Sequence, residues 1–282
     1  AAIESVRDEI ESVACLDPVQ LWAQLHDQLP DDPFAMCAID QAAYDLWGKQ
    51  RTTPVHRLWK LDINHLPVSN FTIGIDTVEN MINKLQEVPD WPVYKIKLGT
   101  TDDLKIITEL RRHTAATFRV DANCGWTVDE TIANARQLRE LGVEFIEQPL
   151  PAEDIDGSVR VYQHSVLPIM ADESCITEPD VKNCKDQFHG INIKLVKCGG
   201  LTPARRMIKQ ARQLDLKVMV GCMTESTVGI SAIAQLLPLL DFVDMDGAEL
   251  LAEDIASGVR VERGICHYSQ LPGSGVQMLP TK

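Results

Sequence analysis

The sequence predicts an α/β fold, a (β/α) barrel with a partial helical capping segment ahead of it, and three observations carry that expectation. From residue 70 onward, short apolar runs alternate with amphipathic helical stretches. Eight such runs occur, at residues 71–75, 94–98, 118–122, 145–147, 168–171, 191–195, 217–220 and 242–245. Ionisable residues recur at the carboxyl ends of several runs. Strict alternation implies parallel strands joined by crossover helices, and eight strands imply a closed barrel rather than an open sheet. No Gly-x-Gly-x-x-Gly turn follows an early strand, which disfavours a doubly wound dinucleotide fold.

The first 60 residues read mainly as helix. Asp31-Asp32 supply a cap, Pro33 suits the first helical position, and Ala35, Ala38, Ile39, Ala42, Ala43, Leu46 and Trp47 follow at helical spacing. Gly48 is expected to close that run. Later helix patterns cover residues 102–113, 128–141 and 203–214. The division expected is a capping segment at 1–60, a barrel at 61–260 and a tail at 261–282 that returns to the cap.

Composition narrows the function classes. A chain of 282 residues, 45% hydrophobic and 24% charged, can bury a barrel plus an appended piece. No stretch approaches the apolar length of a membrane span. Residues 1–15 are acidic and helix-patterned, without a signal-peptide layout. The net charge of -14 argues against nucleic acid or an anionic membrane as partner. Eight cysteines lie scattered with no Cys-x-x-Cys pair, and seven histidines fail to cluster, so zinc is disfavoured. Cys124, Cys175, Cys198 and Cys222 sit near strand ends, yet read best as small buried hydrophobes in a reducing cytoplasm.

The informative signal is a period. Lys97, Asp121, Glu147 and Asp172 end successive strands at steps of 24, 26 and 25 residues. Further steps reach the lysine-bearing strand 191–197, then Gly221-Cys222, then Asp246. A solenoid would repeat its apolar consensus rather than its charges. In a barrel these strand ends meet at one mouth. Two carboxylates about 4 Å apart repel by roughly 4 kcal/mol at an effective dielectric near ~20, so three on one rim call for a cation or protons. Oxygen donors without His or Cys favour a hard ion, and magnesium is the natural choice. An ion-pair network with the neighbouring lysines is the competing account. The specific flanks Asp121-Ala122-Asn123, Glu147-Gln148-Pro149 and Ala171-Asp172-Glu173 favour the metal.

Lysines flank the acidic strands on both sides, where they could act as base and acid on opposite faces of one carbon. Lys95 and Lys97 share the inward face of strand two. Ammonium groups roughly 6 Å apart repel by on the order of 3 kcal/mol, about two pK units, which would help make Lys97 a base. On strand six, Ile191, Ile193 and Leu195 form the outward set, so Asn192 and Lys194 point inward. Side-chain parity selects Lys194 over Lys197, which the 25-residue step would pick, and leaves Lys197 as a loop residue or one that supports the site from behind.

Taken together, Lys95-Ile96-Lys97, Asp121-Ala122-Asn123, Ile146-Glu147-Gln148-Pro149, Ala171-Asp172-Glu173-Ser174 and Asn192-Ile193-Lys194-Leu195-Val196-Lys197 resemble the enolase superfamily. The likeness is to its branch of muconate lactonizing enzymes and dipeptide epimerases, from about residue 16 to near the end. The resemblance implies an enolase-type modified barrel, with Mg2+ bound by Asp121, Glu147 and Asp172. It implies Lys97 and Lys194 as the acid/base pair, abstracting a proton alpha to a carboxylate to give an enediolate. Asp244-Met245-Asp246 resembles the pair with which dipeptide epimerases hold the substrate ammonium, and paired carboxylates suit a free amine. The competing use is helix capping. Thr72 and Lys95 match positions that contact substrate in those enzymes. Residues 219–225 contain no histidine, which argues against a histidine base on strand seven.

The expected function is therefore 1,1-proton transfer at a dipeptide, such as an L-Ala-D/L-Glu-like one, with a homo-oligomer left open. A cycloisomerase or an o-succinylbenzoate synthase would use the same metal and lysines. A non-catalytic metal-binding barrel is the alternative from another class. Relatives carry a full amino-terminal α+β cap, whereas this chain reads as beginning within it, and the stretch 264–277 reads as a shortened tail.

Overall fold

A computed structural model describes residues 2–13 and 16–280. Ala1 and Cys15, which bound the acidic amino-terminal stretch, lie outside the described residues, as do positions 281 and 282 of the tail. Eight parallel strands form one sheet in sequence order. They are β1 (Phe71–Ile73), β2 (Val93–Lys97), β3 (Thr117–Asp121), β4 (Val143–Glu147), β5 (Ile169–Ala171), β6 (Gly190–Lys194), β7 (Lys217–Gly221) and β8 (Phe242–Asp244). A parallel bridge from Ser69 to Val243 brings β8 back beside β1 and closes the seam. Among the described residues no helix is long and apolar enough to cross a membrane.

Both faces of each strand are buried, but by different chemistry. Outward residues such as Tyr94, Ile96, Phe118, Val120, Ile191 and Ile193 pack beneath the helices in the main core. Inward positions build layers across the barrel. At the floor, Phe145, Met170 and Met219 pack with Phe242. Arg119 lies over Phe145 and Phe242, pairs with Glu144 at 2.8 Å and donates to Val243 O and Asn70 Oδ1 at 3.2 Å. It thereby joins β3 to the seam from inside the barrel. Above it, the even strands supply Lys95, Glu147, Asn192 and Asp244, linked by hydrogen bonds of 2.8 to 3.4 Å. A polar layer inside a barrel is tolerable only when its members satisfy one another.

The amino-terminal helices Pro18–His26 and Pro33–Gln50 share their own apolar core and pack on the barrel beside β6. Asp17 and Asp32 cap them, Asp32 accepting from Ala35 N at 3.0 Å. Contrary to expectation, Gly48 does not end its helix, which runs on to Gln50. Its glycine serves a close approach: a Cβ at Gly48 would stand 2.5 Å from Gly273 Cα and 2.8 Å from Thr53 O. There the tail meets this segment, with Val55 N donating to Gly273 O at 2.9 Å and Ser274 N to Asp45 Oδ1 at 2.9 Å.

Gly48→Ala should therefore destabilise the fold. Helix propensity favours alanine by about 1 kcal/mol, but forcing two backbones apart costs about 1–3 kcal/mol. A net loss of roughly 1 kcal/mol is expected, read as a lower urea midpoint at unchanged slope.

Candidate active site

The carboxyl ends of the strands carry the predicted residues to one mouth. Asp121 and Glu147 are the last residues of β3 and β4 and stand opposite each other in register. Asp172 follows β5 directly. The β2 lysines both bond Asp121 Oδ2, Lys97 at 2.7 Å and Lys95 at 3.1 Å. On the other flank, Lys194 reaches Asp172 Oδ2 at 2.5 Å.

Lys197 meets the same carboxylate from the loop, as a supporting residue would: its ammonium lies 2.9 Å from Asp172 Oδ1. Strand parity fails here because β6 stops at Lys194 and the chain enters one helical turn, Leu195–Cys198. That turn swings Lys197 back over the mouth, so Asp172 is held by two ammonium groups.

The electrostatics follow from this pairing. Burial opposes ionisation of Asp121 and Asp172. The lysines outweigh it and hold both carboxyls below their ordinary value. Glu147, between them, is pushed up to about 7 by burial and by the charges of Asp121 and Asp172. Its Oε2 stands 2.9 Å from Lys95 Nζ but out of line for a hydrogen bond, leaving a buried oxygen without a hydrogen-bond partner. An all-oxygen donor set with an under-satisfied carboxylate at its centre fits a hard divalent cation.

The loops make this arrangement rigid. Asn123, Cys124 and Gln148 take positive φ (44°, 61° and 35°), turning the chain sharply after β3 and β4. Gln148 is fully buried and uses every bonding position. Its Oε1 accepts from Asp172 N at 2.9 Å and Ser174 N at 3.1 Å. Its Nε2 donates to Leu150 O at 2.8 Å and Ser174 Oγ at 2.9 Å. The Glu-Gln-Pro motif drew attention to this residue, but nothing in it disclosed that the amide sets the position of Asp172. After Lys97, Asp103 accepts from Gly99 N, Thr100 N and Trp126 Nε1 within 2.9 Å and pins that loop.

The residues expected to touch substrate also converge. Asp246 accepts from Thr72 N at 2.6 Å. Asp244 accepts from Asn70 Nδ2 at 2.8 Å and lies 3.4 Å from Lys95 Nζ. Lys95 is buried, yet Glu147, Asp121 and Asp244 outweigh that burial and keep its ammonium well above the usual lysine range. Asp246 is pushed up to about 7, by burial first and then by Asp244. Thr72, Lys95, Lys97, Lys194, Lys197 and the Asp244/Asp246 pair line one cavity of about 330 Å³.

Sequence reasoning missed Cys222, which borders this cavity rather than merely filling the core. Its Sγ lies 3.7 Å from Asp246 Oδ1. It directly follows the end of β7, where strand alternation no longer assigns a face. Among the described residues, Cys222, Asp244 and Asp246 are the one acidic or thiol trio whose donor atoms all lie within 4.8 Å of one another. By contrast, Asp121 and Asp172 are each paired with two lysines. Burial and the two aspartates push the Cys222 thiol well above its ordinary value. A protonated thiol is no ligand for a hard ion. Paired carboxylates could hold an ammonium group at Asp244 and Asp246, and the all-oxygen β3–β5 set could hold a hard cation.

Residues 78–282 match the family model described as enolase C-terminal domain-like. The L-Ala-D/L-amino acid epimerase of Flavobacterium johnsoniae is 54% identical over 98% of this chain and 82% of its own length. The L-Ala-D/L-Glu epimerase of Bacteroides thetaiotaomicron is 40% identical over 98% of this chain and 74% of its own. A dipeptide epimerase of Enterococcus faecalis, solved with Mg and the dipeptide L-Leu-L-Tyr, superposes with a TM-score of 0.89. It is 28% identical, and the match covers 98% of this chain and 82% of that one.

Gln148→Ala strips hydrogen-bond partners from the backbone N–H groups of Asp172 and Ser174. Each buried donor left unsatisfied costs about 1–3 kcal/mol. The variant should lose roughly 2–4 kcal/mol of unfolding free energy in urea titrations, far more than an exposed Gln→Ala change such as Gln86→Ala.

Proposed function

The chain belongs to the enolase superfamily, in the branch of muconate lactonizing enzymes and dipeptide epimerases. From that premise we propose that Asp121, Glu147 and Asp172 hold magnesium while Lys97 and Lys194 move the proton at one α carbon. The reaction is epimerisation of the carboxyl-terminal residue of a dipeptide, the activity carried in the names of its relatives. In the same reading, residues 1–60 are part of a cap and 261–282 a tail docked on it.

One observation carries this reading. Ammonium groups from β2 and β6 each grip an outer member of a three-strand carboxylate arc, while a second carboxylate pair on β8 lines the same cavity. The α carbon of a substrate held over the arc lies between two lysines. One lysine takes its proton, and the other returns a proton on the opposite face. Magnesium, when bound, supplies positive charge for the oxygens of the enediolate. Asp244 and Asp246 hold the substrate's ammonium group, with Asp246 oriented by Thr72 N. Lys95, bound by three carboxylates, stays charged and serves as a counter-charge rather than a base. Burial disfavours the ammonium of Lys194, but Asp172 outweighs that and raises its affinity for the proton. Asp172 would pull less on the Lys194 proton if it also held a cation, which would leave Lys194 able to serve as base or acid. A cycloisomerase or an o-succinylbenzoate synthase has no use for an ammonium seat on β8, so the Asp244/Asp246 pair favours the epimerase.

A dipeptide library incubated in heavy water with magnesium tests the assignment by mass spectrometry. Deuterium should enter the carboxyl-terminal residue alone. Lys97→Ala and Lys194→Ala should each lower epimerisation by at least ~10³-fold, consistent with loss of a general acid/base. Lys197→Ala should keep more activity than Lys194→Ala; the reverse order would transfer the role to Lys197.

Magnesium should raise Tm in wild type, by mass action worth about 2.7 kcal/mol at a hundredfold excess over Kd. Asp121→Asn, Glu147→Gln and Asp172→Asn should each remove most of that rise in a thermal-shift titration.

KM for a free-amine dipeptide should rise as pH falls below about 7, because Asp246 then takes up a proton and loses the charge that holds the ammonium. It should rise again above roughly pH 8, where an α-amino group loses its own proton. Asp246→Asn should flatten the acid limb of the KM profile and leave the alkaline one.

A further inference from the structure

The turn after β6 is gripped from outside the barrel. Lys194 ends the strand, Leu195–Cys198 forms one helical turn, and the chain then passes through Gly199 and Gly200 at φ of 93° and 119°. Two side chains of the amino-terminal helices meet it there. Trp22 Nε1 donates to Gly199 O at 2.9 Å in a buried contact. Asp40 accepts from Thr202 N at 2.8 Å and from Thr202 Oγ1 at 2.7 Å.

The Asp40 contact is unusual in its chemistry. Helix Leu201–Gln213 has Gly200 at its amino cap, with no capping side chain of its own. Asp40 supplies that cap from a helix distant in sequence, at 2% exposure. Burial makes the carboxylate costly, pushing its pKa up to about 7 against the hydrogen bonds from Thr202 and Leu201. A serine or asparagine at 200 would cap the helix locally with no buried charge. Space explains why it does not: a Cβ at Gly200 would lie 2.5 Å from Asp40 Oδ2. Gly200 thus leaves room for Asp40, while Gly199 is called for by its positive φ rather than by crowding.

The β2 flank has no such arrangement. The loop after Lys97 is pinned by Asp103 and Trp126, both of the barrel itself. The two lysine flanks are therefore held by different parts of the molecule.

We propose that Trp22 and Asp40 are positioning residues that, through the Gly199–Gly200 turn, set where the Lys194 and Lys197 ammonium groups meet Asp172. Docking of the amino-terminal helices then governs proton transfer on the β6 side alone. The kinetic consequence rests on the assignment of a β6 lysine as one of the two acid/base groups; the positional claim does not.

Three variants test it with little risk to folding. Trp22→Phe keeps a ring for the stack on His26 and the contact with Arg206, and loses the N–H donor together with part of the buried ring's bulk. Thr202→Val removes one of the two bonds to Asp40. Asp40→Asn keeps the shape and one acceptor, and should be milder than Asp40→Ala. In the first arm, trace acetylation of lysines is read by mass spectrometry on the folded protein. Lys194 and Lys197 should change reactivity at least threefold in Trp22→Phe, while Lys97 stays within about 1.5-fold. Equal change at all three lysines, or none, overturns the proposal.

In the second arm, solvent-deuterium uptake is followed separately from each epimer of one dipeptide. Uptake from the epimer whose exchange Lys194→Ala abolishes should fall about tenfold in Trp22→Phe with KM unchanged. Uptake from the other epimer should stay within twofold. Equal loss from both epimers identifies general destabilisation and also overturns the proposal. A wild-type protein that exchanges no dipeptide defeats the epimerase reading, and the acetylation arm then decides the positional claim by itself.

Discussion

Everything at the mouth of this barrel depends on balancing carboxylates against lysines where water is excluded. Five acidic groups, Asp121, Glu147, Asp172, Asp244 and Asp246, are nearly or fully buried. Lys95, Lys97, Lys194 and Lys197 answer them, and each makes at least one ion pair of 3.1 Å or less. Removing one partner from such a set leaves an uncompensated buried charge, which is far costlier than the net worth of any single pair. The balance is also incomplete at Glu147, whose raised proton affinity marks where further positive charge is wanted. Structure and chemistry therefore share one constraint. The groups that keep the barrel interior electrically tolerable are those a metal and a substrate carboxylate would reorganise.

The barrel limits the reach of this charge by layering it. An apolar floor of Phe145, Met170, Met219 and Phe242 lies beneath the charged layers. Arg119 crosses that floor and is spent on tying β3 to the seam between β8 and β1 rather than on the mouth. Polarity increases toward the carboxyl ends of the strands, where loops can converge on a ligand. The tight turns after β3 and β4, and the fully bonded Gln148, fix the outer carboxylates against each other before any ligand arrives.

The two flanks of the mouth are built differently. On β2 the lysines follow strand parity, and the barrel's own loop holds the chain beyond them. On β6 only Lys194 does so, and its continuation is a turn tied to the amino-terminal helices. A single fold thus places two chemically equivalent ammonium groups under separate structural control.

Much of this was legible in the linear chain because strand period and helix period are local properties. The eight apolar runs became eight strands with ends displaced by a residue or two. Inward alternation correctly paired Lys95 with Lys97 and Asn192 with Lys194, and the near-25-residue step brought Asp121, Glu147 and Asp172 to one rim. By itself the sequence determined the barrel, the face of each strand residue and the acidic arc. Only the tertiary structure decided what lies past the strand ends, where the alternation rule lapses: Lys197 returning to Asp172, Cys222 beside Asp246, and the amide of Gln148 holding Asp172. It alone also disclosed contacts between segments far apart in sequence, such as Gly48 against Gly273, Trp22 on Gly199 and Asp40 capping a helix across 162 positions. The physical reason is common to them all. Local steric preference sets which way a side chain points within an element, but only packing of whole elements decides which distant backbone it meets.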